Sequence, residues 1–109
     1  MWVVAYLAEA ERDRVAMPKA ELAALINADA KLAAYGPRLG YPHTSAVRDA
    51  RGLRELRPRA GRCRHRALYR QIGDVFVVAA VGPEAQSDPV GFGRAVRRAL
   101  QRLADVEEA

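Results

Sequence analysis

Glu55, Arg57 and Arg66 stand in the stretch "GLRELRPRAGRCRHRALYR" at residues 52–70, and their types suit phosphoryl chemistry. A guanidinium fork grips a phosphate bidentately and offsets charge that builds on phosphorus. A carboxylate beside it can take a proton from an attacking hydroxyl. Residues 51–70 hold eight arginines and a single acid, Glu55. Strand alternation divides them between two faces. Over 64–70, Arg64, Arg66, Leu68 and Arg70 share one face, and His65, Ala67 and Tyr69 the other. Over 53–57, Leu53, Glu55 and Arg57 lie opposite Arg54 and Leu56. If Leu56, Ala67 and Tyr69 turn to the helices, Glu55, Arg57, Arg64 and Arg66 share the uncovered face. Arg51, Arg59 and Arg62 fall at turns, where they can touch phosphates without positioning chemistry. A charged strand face is more often only solvated, and edge strands use charge to avoid aggregation. Alternation alone leaves both readings open.

Other chemistries find less support. His43 and His65 are lone histidines without metal-ligand spacing, and Cys63 has no CxxC partner, so no metal site is expected. Either histidine could serve as an acid or base, His43 from a loop and His65 from the core side of its strand. No phosphate-cradling loop with a lysine is present, and no serine nucleophile motif. Tyr69 reads as a core aromatic.

These residues need elements to hold them. "WVVAYL" at 2–7 is β-branched and aromatic, a first strand. A charged segment of one or two helical turns follows. Pro18 opens a helix whose apolar positions include Leu22, Leu25, Ile26, Leu32 and Ala33, and Gly36-Pro37 ends it. Asp29 falls inside that stripe, either at its edge or paired with an arginine of the sheet. Residues 36–51 read as loop. Strands are expected at Leu53–Pro58, Arg64–Ile72 and Asp74–Val81, the last two joined by a hairpin at Gly73. "VFVVAAV" is apolar on both faces and belongs in the centre of a sheet. Asp88-Pro89 starts a final helix that buries Phe92, Ala95, Val96, Ala99, Leu100 and Leu103 and exposes Arg94, Arg97, Arg98 and Arg102. The result is one α+β domain over 1–109: strand, helices, a three-stranded antiparallel meander and a C-terminal helix. The helices cover one sheet face, and 105–109 form a frayed acidic tail.

The chain has 109 residues and a formal net charge of +5, unevenly spread. Residues 36–102 carry fourteen Lys/Arg against five Asp/Glu, whereas residues 1–35 carry four against five. Sixteen of the basic residues are arginine. Such a basic middle suggests nucleic acid or an acidic protein as partner. No apolar run approaches the ~20 residues of a membrane span. One cysteine excludes an internal disulfide, and a cytoplasmic location is expected.

The order "LRELRPRAGRCRHRALYR", a hairpin, an apolar strand and a helix ending near Arg102-Leu103 resembles the HigB-type, phage-derived toxins of the RelE/ParE superfamily. The matching positions are Leu53, Glu55, Leu56 and Arg57, then His65, Arg66, Ala67, Leu68 and Tyr69, then Val75–Val81. "YGPRLGYP" at 35–42 is similar to the segment that follows that family's helices. The resemblance covers residues 2–105. It implies a toxin of a type II toxin–antitoxin pair that cleaves mRNA on the ribosome without metal or other cofactor, by attack of a ribose 2′-OH on the adjacent phosphate. Arg57 and Arg66 would then be the cations and Glu55 the base. Arg59, Arg62, Arg64 and Arg70 would bind RNA. The implied partner is a small antitoxin, expected to contain a helix-turn-helix, with oligomers formed only through that complex. Many relatives carry Lys or Arg after the last strand, where this chain has Val81-Gly82-Pro83-Glu84-Ala85. Two other functions stay open: a toxin of the same fold that poisons a protein such as a topoisomerase, and a non-catalytic nucleic-acid-binding module.

Overall fold

The computed structural model describes residues 1–108. The elements are β1 (Val3–Tyr6), α1 (Ala8–Val15), α2 (Lys19–Tyr35), β2 (Thr44–Ala46), β3 (Arg54–Leu56), β4 (His65–Ile72), β5 (Val75–Pro83) and α3 (Pro89–Glu108). Short 3-10 turns occupy Gly36–Arg38 and Pro58–Gly61. The sheet order is β1-β5-β4-β3-β2, with β1 parallel to β5 and every other pair antiparallel. The α+β class and the β3-β4-β5 meander agree with the sequence reading. β2 does not: it lies inside the segment read as loop. "TSA" is too short and polar to signal a strand, and only its ladder to β3 defines it.

The helices cover both faces of the sheet, not one. Leu25, Ala28 and Leu32 of α2 pack with Leu56, Ala67, Tyr69, Phe76 and Val78. On the opposite face Ala95, Ala99 and Leu103 of α3 pack with Leu53, Leu68, Ala79 and Ala80. β5 is apolar on both sides, and burying both sides takes a helix on each. A bulge makes this possible. Leu68 pairs with Ala80 but Tyr69 pairs with Val78, so β5 carries one extra residue there. The extra residue flips the alternation, turning Ala79 and Ala80 together to α3 while Val78 and Val81 face α2.

Small residues let α3 sit close. A Cβ at Gly82 would come within 2.6 Å of the Ala95 Cβ. Gly82→Val is therefore expected to push α3 away and cost about 1–3 kcal/mol, read as a lower urea midpoint. Arg102, expected at the surface, instead reaches across the sheet edge, its Nη1 donating to Asp13 at 3.0 Å and to the Ala79 carbonyl at 2.9 Å. In α2 the inner face is Ala24, Leu25, Ala28 and Leu32, which leaves Ile26 exposed. α3 continues through Glu108, so residues 105–108 are helical where a frayed tail was expected; residue 109 lies outside the described residues. Among the described residues, no helix is long and apolar enough to cross a membrane.

Asp29 meets a helix arginine, not one from the sheet. The Tyr6 hydroxyl donates to it at 2.9 Å, and Arg14 of α1 lies 3.6 Å away. Burial pushes the Asp29 carboxyl from its ordinary 3.8 up to about 6, against the opposing pull of Tyr6 and Arg14. The fold therefore holds the proton more tightly than the unfolded chain does. Stability falls as pH rises from about 4 to about 6. Asp29→Asn removes that loss, so melting curves should show about 2 kcal/mol of stabilisation at neutral pH and almost none near pH 4.

Candidate functional site

β3, β4 and the turn between them gather the basic residues. Glu55 is on β3 and Arg57 follows it; Arg64 precedes β4 and Arg66 is its second residue. All four line one cavity of about 280 Å³, together with Arg62 and Glu84. The four residues share a face, as strand alternation indicated, but that face is not uncovered: beyond the cavity α3 packs on it against Leu53 and Leu68. The cavity lies opposite α2, in register with the end of β5, where Arg66 pairs with Gly82.

Arg66 is only 4% exposed. Its Nη1 donates to the carbonyls of Cys63 at 2.6 Å and His65 at 3.1 Å, and its Nη2 to that of Gly61 at 3.1 Å. Its Nε is buried without a hydrogen-bond partner, 3.4 Å from Glu55 Oε1. These bonds hold a strained turn. Arg59 and Ala60 have φ of 53° and 55°, left-handed values that non-glycine residues avoid. Much of the Arg66 guanidinium therefore holds the backbone, and only its remaining surface faces the cavity.

Arg57 is held differently. Its Nε donates to the Pro42 carbonyl at 3.0 Å and its Nη1 to Glu55 Oε1 at 2.9 Å. Its guanidinium carbon stands 5.1 Å from the Tyr41 ring centroid, a cation–π contact. Nη2 lies over Gly61, where a side chain would collide with it and where φ is +93°. Glycine both permits this turn and clears space for Arg57. Glu55 is the strut between the two arginines. One of its oxygens serves both, which leaves that oxygen poorly placed for proton abstraction.

Glu84 stands where relatives were expected to carry a cation. Its carboxylate accepts from the backbone of Gln86 at 2.9 Å and of Ser87 at 2.8 Å. Hydrogen bonds from Ser87, then Gln86, together with the charge of Arg66, hold its carboxyl below the usual range. An anion thus lines a cavity otherwise suited to anions.

The remaining candidates separate. Arg62 and Arg64 line the cavity. Arg59 does not; it points back to the Ala20 carbonyl of α2, at 3.4 Å. Arg70 is on the same face as Arg66 but four residues along the strand, beside the far end of α3, where it pairs with Glu107 at 3.0 Å. His43 lies in a separate depression with Lys31 and Tyr35, and only its backbone carbonyl meets Arg57. His65 faces α2, as alternation indicated, with Nδ1 2.8 Å from Glu21 Oε1. Neither histidine lines the cavity. Tyr69 is buried, its hydroxyl 2.6 Å from that of Thr44.

Glu21 is the residue that sequence reasoning missed. Its Oε1 also accepts from Cys63 Sγ and the Arg64 backbone, each at 3.2 Å. The His65 hydrogen bond, more than any other contact, holds the Glu21 carboxyl below its usual range, and burial pushes the Cys63 thiol up. An acid in the first turn of a helix reads as a response to the helix dipole. Nothing in its spacing links it to residues on β4.

The geometry defines a RelE-like fold with a basic cavity at the end of its sheet. The chain superposes on the E. coli toxin RelE, an arginine double mutant in the free state, with a TM-score of 0.62 at 17% identity, over 89% of this chain and 96% of that one. It is also similar to a chain of the RelBE2 toxin–antitoxin complex from Mycobacterium tuberculosis, with a TM-score of 0.58 at 26% identity, over 76% of this chain and 98% of that one. Residues 12–82 match the family described as phage-derived protein Gp49-like (DUF891), and the chain belongs to that family. No curated protein matches it.

Proposed function

We propose that the chain is the toxin of a type II toxin–antitoxin pair, of the HigB type, and that its basic cavity holds an RNA phosphodiester on the ribosome for cleavage. The observation that carries this reading is the convergence of Arg57, Arg62, Arg64 and Arg66 on one cavity, with Glu55 fixing two of them. In the reaction the ribose 2′-oxygen bonds to phosphorus and the 5′-oxygen leaves. The products are a 2′,3′-cyclic phosphate and a 5′-hydroxyl. The arginines offset charge on the phosphorane oxygens. Oε1 of Glu55 is taken up by the two guanidiniums, so its other oxygen is the one left to take the 2′-OH proton, and the leaving 5′-oxygen takes its proton from solvent. Charge stabilisation then supplies most of the rate.

The similarity to a chain of a toxin–antitoxin complex supports an antitoxin as partner; the proposed partner is a small helix-turn-helix protein, and an acidic surface on it would complement the +5 charge of this chain. Inducing the chain in a bacterial host should arrest growth, and co-expressing its cognate antitoxin should relieve the arrest. Growth without arrest would remove the toxin reading.

Glu84 in the cavity, and the lack of a histidine there, favour a second reading: a toxin of this fold that binds its target without cutting RNA. Glu84 also gives a graded test. Glu84→Gln should tighten binding of single-stranded RNA roughly threefold at low salt, with the gain fading as salt rises. Filter binding across a salt series checks this.

A further inference from the structure

Cys63, His65 and Glu21 converge between α2 and the start of β4. Their ligand-type atoms (Sγ, an imidazole nitrogen and a carboxylate oxygen) all lie within 4.8 Å of one another. Glu21 Oε1 is the hub, 3.2 Å from Sγ and 2.8 Å from Nδ1. Cys63 and His65 are two residues apart on one side of the chain, and Glu21 faces them from the helix. We propose that this cluster is a binding site for a borderline-soft divalent cation, of which zinc is the natural case.

The donor set selects the metal class. Sulfur with imidazole nitrogen favours zinc over calcium or magnesium, which take oxygen ligands. One thiolate and one carboxylate balance a doubly charged ion, and a neutral imidazole completes three protein ligands. Water fills the fourth, tetrahedral position. On binding, the Cys63 thiol releases its proton to solvent, and the imidazole keeps one proton on Nε2 while Nδ1 takes the metal. Solvent reaches two of the three ligands: the His65 and Glu21 side chains are only partly buried, and His65 lines an open depression beside Asp13 and Pro83.

The position gives the site a consequence. The Cys63 carbonyl accepts from Arg66, and Cys63 lines the basic cavity on its other side. A metal on Cys63 ties the arginine-bearing turn to α2. The inference is independent of the toxin reading, because its test reads metal binding alone.

The test is titration of the purified full chain with Co2+ as a spectroscopic stand-in for zinc. One equivalent should give a thiolate-to-cobalt charge-transfer band that Zn2+ abolishes by displacement. Cys63→Ser should lack the band. Glu21→Gln and His65→Gln should weaken binding about tenfold or more, at least what losing a supporting contact costs. Circular dichroism reports whether the variants fold, and the wild-type titration decides the matter even if they do not. A wild-type chain with no charge-transfer band would overturn the site. So would folded Glu21→Gln and His65→Gln variants that bind as tightly as wild type, because Cys63 alone would then be the ligand.

Discussion

Arg57→Ala should abolish growth arrest while leaving the fold in place. Losing one charge-stabilising donor at a reacting oxyanion typically lowers turnover about 100- to 1000-fold. Arg57 is suited to that role because its partners are few and lie near the surface: a carbonyl, one oxygen of Glu55 and the face of Tyr41. Removing it frees Glu55 to keep Arg66 and leaves no strained segment unsupported. Circular dichroism and melting of the variant should stay close to wild type. Arg57→Lys should recover little activity, because an ammonium cannot span Pro42, Glu55 and a phosphate together. Wild-type toxicity in a folded Arg57→Ala variant would remove Arg57 from the reaction.

Arg66→Ala should fail for a different reason, by unfolding the turn that builds the cavity. The substitution strips three backbone carbonyls of their donor and leaves Glu55 with one fewer counter-charge. It also releases the Gly61 carbonyl, the end of the turn that follows the left-handed Arg59 and Ala60. Breaking a buried charged network by removing one partner costs about 3–5 kcal/mol. For a domain of this size that lowers the melting temperature by on the order of 15 °C. Under the proposed reaction the two variants divide the cation role that the resemblance implied for both: loss of Arg57 acts on the chemistry, and loss of Arg66 acts first on the architecture. If Arg66→Ala melts like wild type and loses activity, Arg66 acts on the substrate directly and the anchoring role is wrong.

Strand alternation found the basic face because it is local. Residues two apart on β3 and β4 must point the same way, so Glu55, Arg57, Arg64 and Arg66 could be grouped without tertiary information. Alternation could not measure distance along the face. Arg70 shares it with Arg66 yet sits beside the end of α3, where Glu107 takes it up. Nor could it show what a guanidinium binds, and the burial of Arg66 depends on a turn whose left-handed residues carry no sequence mark apart from Gly61. Contacts between distant segments were illegible for the same reason. Glu21 to His65, Arg102 to Asp13 and Tyr6 to Asp29 each join elements far apart in the chain. The doubly apolar β5 did announce its central place. It also implied cover on both faces, which the one-sided arrangement of helices overlooked.

The most direct test of the cleavage reading is to map transcript 5′ ends after brief induction of wild type and of Arg57→Ala. The proposed reaction predicts new ends inside coding regions, bearing 5′-hydroxyl groups, with wild type and none with the variant. Growth arrest with transcripts intact would contradict it, as would the same ends arising from Arg57→Ala.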